Sequence, residues 1–172
     1  TDFGHFEIYA FGAGTAMNAG MEGEGGIDFN YGGAPDLQLT AVFPFAYETG
    51  GGTRGGIGNI ELAAKYRFLR AEDWGWDVSV FPRLFLPSLS ANAGDRHFSF
   101  LLPFWVGKDW GKGSVFGGGG GAITLGSDSQ DYCLAGWAVT REIAEGLYLG
   151  AEIYHQGADT RAGRASAGLG AG

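Results

Sequence analysis

Residues 59–69, "NIELAAKYRFL", alternate between two kinds of side chain. Ile60, Leu62, Ala64, Tyr66 and Phe68 fall on one side, and Asn59, Glu61, Ala63, Lys65 and Arg67 on the other. A period of two over this stretch predicts a β-strand with one apolar and one polar face. Globular strands have a mode of about five or six residues, whereas a tilted strand needs about 9–11 to cross a bilayer. The longer figure matches residues 59–69.

The same alternation recurs. Phe6, Ile8 and Ala10 oppose Glu7 and Tyr9 in 5–14; Ile27, Phe29 and Tyr31 oppose Asp28 and Asn30 in 26–32. Leu37, Leu39, Ala41, Phe43 and Phe45 oppose Gln38 and Thr40 in 36–48. Val78, Val80, Leu84 and Leu86 oppose Asp77, Ser79 and Arg83 in 76–86; Phe98, Phe100, Leu102, Phe104 and Val106 oppose His97, Ser99 and Trp105 in 97–107. Leu147, Leu149, Ala151 and Ile153 oppose Tyr148, Glu152, Tyr154 and Gln156 in 147–156. Residues 132–141 alternate weakly, and 164–172 begin a further strand. No segment sustains a helical period, and 141–147 reads as a turn. Connections at 32–35, 71–75, 109–113 and 142–146 are short; those near 14–25, 49–58, 87–96, 126–130 and 157–163 are mostly longer, glycine-rich or polar. Short and long connections in alternation predict an up-and-down meander, as in outer-membrane barrels.

The run Gly117–Gly121 interrupts this pattern. Apolar residues flank it on both sides, unlike a linker, and neither a Walker A spacing nor a following helix supports a phosphate loop. It is expected to be a strand over 114–124, the seventh of ten. Its polar face is expected to hold Ser114, Phe116, Gly118, Gly120, Ala122 and Thr124. Trp105 precedes it and Trp137 follows it. Either the two indoles fold over Gly118 and Gly120, since strand glycines often mark close approach, or the glycines serve bending at closure.

Composition narrows the class. The 172 residues suggest one domain. Thirty-four glycines accompany 13 Phe, seven Tyr and five Trp, a mixture too aromatic for disorder. A net charge of −8 without a Lys/Arg cluster argues against a nucleic-acid partner. The single Cys133 excludes an internal disulfide framework and a multi-cysteine zinc site. No apolar run is long enough for a transmembrane helix.

The polar faces carry Glu61, Lys65, Arg67, Asp77, Arg83, Arg141 and Glu152, which with Trp105 and Trp137 are the candidate lumen-lining residues of a barrel. They either tune which solutes pass or fill a narrow interior as ion pairs. No catalytic constellation is evident: His155 falls on the apolar face, His5, His97 and Ser99 lie near strand ends, and no G-x-S-x-G occurs. The expectation is therefore no enzyme, no metal and no cofactor. Asp128 and Asp131 fall short of the six to eight oxygens calcium takes. Trp74, Trp76, Trp110, Tyr47 and Tyr132 cluster at strand ends, where a membrane barrel places aromatic girdles.

The segments "EIYAF", "GIDFNYGGAPDLQLTAVFP", "GIGNIELAAKYRFL", "LLPFWVGKDWGKGSVFGGGGGAITLG" and "DYCLAGWAVTREIAEGLYLGAEIYHQGADT" resemble, in order and spacing, a family of outer-membrane transporters associated with the meta-pathway of phenol degradation. The resemblance runs along nearly the whole chain. It implies an all-β, antiparallel up-and-down transmembrane β-barrel of a Gram-negative outer membrane. It further implies passage of small, aromatic or hydrophobic solutes, outer-membrane lipid as surroundings and the barrel-assembly machinery for insertion. Ten strands are visible over 1–172, and the resemblance implies about twelve, with C-terminal sequence missing. Two other classes compete: a soluble or periplasmic ligand-binding barrel, and a membrane-embedded enzyme. Alternation alone does not say which face is inside.

Overall fold

A computed structural model describes residues 1–17, 20–49, 54–87, 90, 97–126, 130–158 and 165–171. The described residues form twelve β-strands and one short helix. In chain order these are β1 (Phe6–Met17), β2 (Gly20–Ala34), β3 (Leu37–Glu48), β4 (Arg54–Ile57), β5 (Glu61–Leu69), α1 (Ala71–Trp74), β6 (Asp77–Val80), β7 (Arg83–Phe85), β8 (Ser99–Trp110), β9 (Gly113–Thr124), β10 (Tyr132–Ala144), β11 (Leu147–Gln156) and β12 (Ser166–Ala171). They join one sheet in the order β1-β2-β3-β5-β6-β8-β9-β10-β11-β12, with β4 on β3 and β7 on β5 and β8. The ten strands of that path are the ten expected. Adjacent strands β1-β2-β3-β4, β5-β6-β8, β5-β7 and β9-β10-β11-β12 pair antiparallel, as a meander requires.

The contacts divide into two compact units. One holds Thr1–Lys65 and Arg83–Phe100, the other Tyr66–Pro82 and Leu101–Gly172. In the first unit, β1 and β2 pair without a shift from Phe6↔Tyr31 to Met17↔Gly20, and β2 and β3 pair from Ala34↔Leu37 to Glu22↔Glu48 with one irregularity at Gly32/Ala34. The turn between β2 and β3 is Pro35–Asp36, with Asp36 at φ 62°, a left-handed conformation that a short polar side chain tolerates. In the second unit, β9 and β10 pair from Gly113↔Arg141 to Ala122↔Tyr132, and β10 and β11 from Ala144↔Leu147 to Leu134↔Gln156.

Several expected connections are strand instead. β1 and β2 extend through much of 14–25, β4 lies within 49–58, and β10 continues to Ala144 past the start of 141–147, leaving only Glu145–Gly146 as the turn. Glycine hides the first of these, because it is depleted in strands. The structure supplies a cover from the neighbouring strand: a Cβ on Gly14 or Gly23 would lie 2.8 Å and 2.7 Å from the Tyr47 hydroxyl. The expected turn at 71–75 is one turn of helix, α1, closed by Gly75 at φ 76°. The segment 76–86 is split into β6 and β7 at Phe81–Pro82, where proline has no N–H to give a ladder. Within the longer connections, residues 18–19, 50–53, 88–89, 91–96, 127–129 and 159–164, Asp128 among them, lie outside the described residues.

Candidate functional site

The register sorts side chains onto two faces. In the first unit one face carries Glu7, Tyr9, Glu22, Glu24, Asp28, Asn30, Gln38, Thr40 and Glu48. The other carries Phe6, Ile8, Ile27, Phe29, Tyr31, Leu39, Phe43 and Phe45, and no charged residue of β1–β4 lies on it. The rings of Phe6 and Tyr31 stack there, 4.5 Å apart.

Burial runs opposite to that of a water-soluble sheet. Asn30 is 3 % exposed, Glu61 and Ser79 6 % each, and Thr40 8 %, whereas Phe6 is 61 % exposed and Ile8 65 %. Ile27, Leu39, Phe43, Phe45, Leu62, Phe104, Leu149 and Ile153 are exposed as well. Left in water, ten such side chains would forgo about 1.5–3 kcal/mol each. Together that exceeds the ~5–15 kcal/mol by which whole domains are stable.

The buried polar groups are partnered, as their desolvation demands. Gln38 donates through Nε2 to Asn30 Oδ1 at 2.6 Å and to Thr40 Oγ1 at 3.2 Å; Asn30 Nδ2 donates to Asp28 Oδ1 at 2.8 Å; Thr40 donates to Asn30 Oδ1. Tyr9 donates its hydroxyl proton to Glu7 at 3.0 Å. Thr1 links the two sets, its amino group donating to Gln38 Oε1 at 3.0 Å and its hydroxyl to Glu7 Oε2 at 2.9 Å, so the network joins β1, β2 and β3 on one face. Its members alternate visibly in the sequence, but no motif marks them as a connected set. Among the described residues, no buried side-chain nitrogen or oxygen lacks a partner.

The candidate charges fall into place in part. Within the first unit, Arg83 grips Glu61 with two parallel bonds of 2.6 Å, from Nε and from Nη2, and lies 5.2 Å from the Phe85 ring. A fork of this kind is the stronger class of ion pair. Lys65 shares the polar face of β5 with Glu61 by alternation and is half-buried. Within the second unit, Arg67 pairs with Asp77 at 3.2 Å, and Trp105 lies opposite buried Ser79, which in turn lies opposite Arg67. Lys112 pairs with Glu142 at 3.4 Å. Glu152 lies opposite Ala138, which lies opposite Phe116. The face it shares includes Ser114 and Thr140, whose hydroxyls meet at 2.7 Å.

Trp137 and Arg141 do not share that face. Trp137 lies opposite Ile153 and Arg141 opposite Leu149, so both stand among apolar neighbours, with Glu142 as the polar-face charge of β10. Strands with strong alternation fix their own phase, whereas the small residues Ala135, Gly136 and Ala138 leave that of β10 undefined in sequence. His155 shares the apolar face with Ile153, as expected, and Cys133 lies opposite Gly121.

The two indoles therefore do not both fold over Gly118 and Gly120. A Cβ on Gly117 would run into the Trp137 ring, so this indole covers Gly117 on the apolar face. Trp105 stacks instead on Phe116, 5.2 Å between centroids at 17°. What closes over Gly118 and Gly120 is the β8 backbone: their Cβ atoms would strike the carbonyl oxygens of Phe104 and Leu102. Gly118 also sits at φ 152°, which side chains disfavour. The five-glycine run is a strand, and four of its glycines answer to close approach, Gly117 and Gly119 from β10 and Gly118 and Gly120 from β8.

No metal-binding group of three or more His, Cys, Asp or Glu occurs among the described residues. Comparison with family models, with characterised proteins and with solved structures finds no match to this chain.

Proposed function

We propose that this chain is an outer-membrane β-barrel protein whose polar face lines a passage for small solutes. The observation that carries the reading is the reversal of burial: partnered Asn30, Thr40 and Glu61 are buried along with Ser79, while aromatic and aliphatic residues of the opposite faces are exposed. Lipid is the solvent that makes such a surface favourable, and a closed antiparallel sheet leaves no backbone group unpaired in it. Strand length agrees. β1, β3, β8 and β9 have 12 residues each, β10 has 13 and β11 has 10, against the about 9–11 that a tilted strand needs to cross. A soluble ligand-binding barrel would place these aromatic residues inside and its charges outside. The resemblance noted in the sequence adds small aromatic or hydrophobic compounds as the solute class.

The test is a membrane fraction from cells expressing the protein, run on a denaturing gel with and without boiling. Outer-membrane location with a mobility shift that appears only on boiling supports the barrel, and planar-bilayer currents from the purified protein would then establish passage. Recovery in the soluble fraction, without a shift, would sink the reading.

A further inference from the structure

Charges are absent from the apolar face of β1–β4 in the first unit, whereas the apolar face of β8–β11 in the second unit carries two cations, Lys108 and Arg141. Both lie toward the short turns, Gly111–Lys112 and Glu145–Gly146. No carboxylate occupies that face of β8–β11, since Asp109, Glu142 and Glu152 all alternate to the polar side. Neither cation forms an ion pair among the described residues.

Aromatic rings accompany both. Lys108 Nζ lies 5.2 Å from the centre of the Trp76 ring. Gly113 lies opposite Arg141, and a Cβ there would come within 3.0 Å of Trp110 Nε1, so the Trp110 indole lies against the same glycine that Arg141 faces. Trp76, Trp110 and Arg141 are all exposed. A cation in mid-membrane is costly, but one at the edge of an apolar band can reach the interface along its aliphatic stem. Tryptophan favours the same depth.

We propose that Lys108 and Arg141, framed by Trp76 and Trp110, bind the phosphate of an anionic lipid headgroup. The occupant is a lipid and not a free anion, because the cations stand on the same face as Val139, Leu149 and Ile153, a surface that suits acyl chains. The proposal rests on the membrane reading above, and the following experiment separates the two.

The full chain is first floated with phosphatidylcholine vesicles. It is then held in zwitterionic detergent and titrated with short-chain phosphatidylglycerol, short-chain phosphatidylcholine or inorganic phosphate, with the thermal unfolding midpoint as readout. Phosphatidylglycerol should bind about thirtyfold more tightly than phosphatidylcholine, as two basic residues near an anionic surface predict. The preference should vanish in Lys108→Gln/Arg141→Gln and persist in Lys108→Arg/Arg141→Lys. Should the glutamine pair not fold, the wild-type preference must still shrink with added sodium chloride. Equal response to the two lipids, retention of the preference in the glutamine pair, or indifference to salt would overturn the site. Inorganic phosphate binding as tightly as phosphatidylglycerol would also overturn it, in favour of a free-anion site. Failure to float would remove the membrane reading, and the headgroup site with it.

Discussion

At the scale of residues, the glycine run separates positions that look identical in sequence. Gly118 is enclosed by the Phe104 carbonyl and held at φ 152°, whereas a Cβ on Gly121 would meet nothing within 4 Å. Gly118→Val should therefore cost about 2 kcal/mol or more, and Gly121→Ala should stay within about 0.5 kcal/mol. Urea titration in detergent, read by the unfolded band on an unheated gel, would compare them. The Glu61–Arg83 fork makes a second contrast. Glu61 is buried with its side chain 8 % exposed, while that of Arg83 is 31 % exposed. Glu61→Ala should destabilise by about 3 kcal/mol, the low end for a broken buried pair, because Arg83 keeps some access to solvent. A double-mutant cycle with Arg83→Ala would show whether the loss belongs to the pair.

Strands are where sequence and structure agree best, and where their disagreements have causes. The segment 59–69 announces β5 because Leu62, Tyr66 and Phe68 alternate with Glu61, Lys65 and Arg67. The extensions of β1 and β2 were not legible, because Gly12, Gly14, Gly23 and Gly25 carry no side chain from which to read a face. Their structure depends on Tyr47, a residue of β3 distant in sequence whose hydroxyl covers Gly14 and Gly23. The phase of β10 is hidden in sequence for a related reason, and Trp137 and Arg141 stand on its apolar face rather than the polar one expected of them. Lengths of sequence rich in small residues take their register from neighbours. Tyr47→Ala should lower stability by about 1–3 kcal/mol and speed amide exchange over 12–17 and 20–25 more than over β11. Uniform acceleration across both hairpins would argue that Tyr47 does not pin this register.

For the whole molecule, the two tryptophans on opposite faces offer a direct reading of the surroundings. Trp137 is 47 % exposed on the apolar face, and Trp105 faces Ser79 and Phe116 on the polar one. In variants that keep one or the other as sole tryptophan, brominated acyl chains should quench Trp137 strongly and Trp105 weakly. Equal quenching would contradict lipid on one face alone. The alternation in sequence could divide the residues into two sets but not say which set meets solvent, because that depends on the packing of a whole sheet. The segregation of charge in β1–β4 also has an evolutionary meaning. Tolerance to substitution should beat with a period of two along β3: at Leu39, Ala41, Phe43 and Phe45 any hydrophobic residue passes and any charge fails, while Val42 and Ala46 between them accept polar replacements. A lineage drifting under that rule could lose nearly every identity while its rhythm stayed intact.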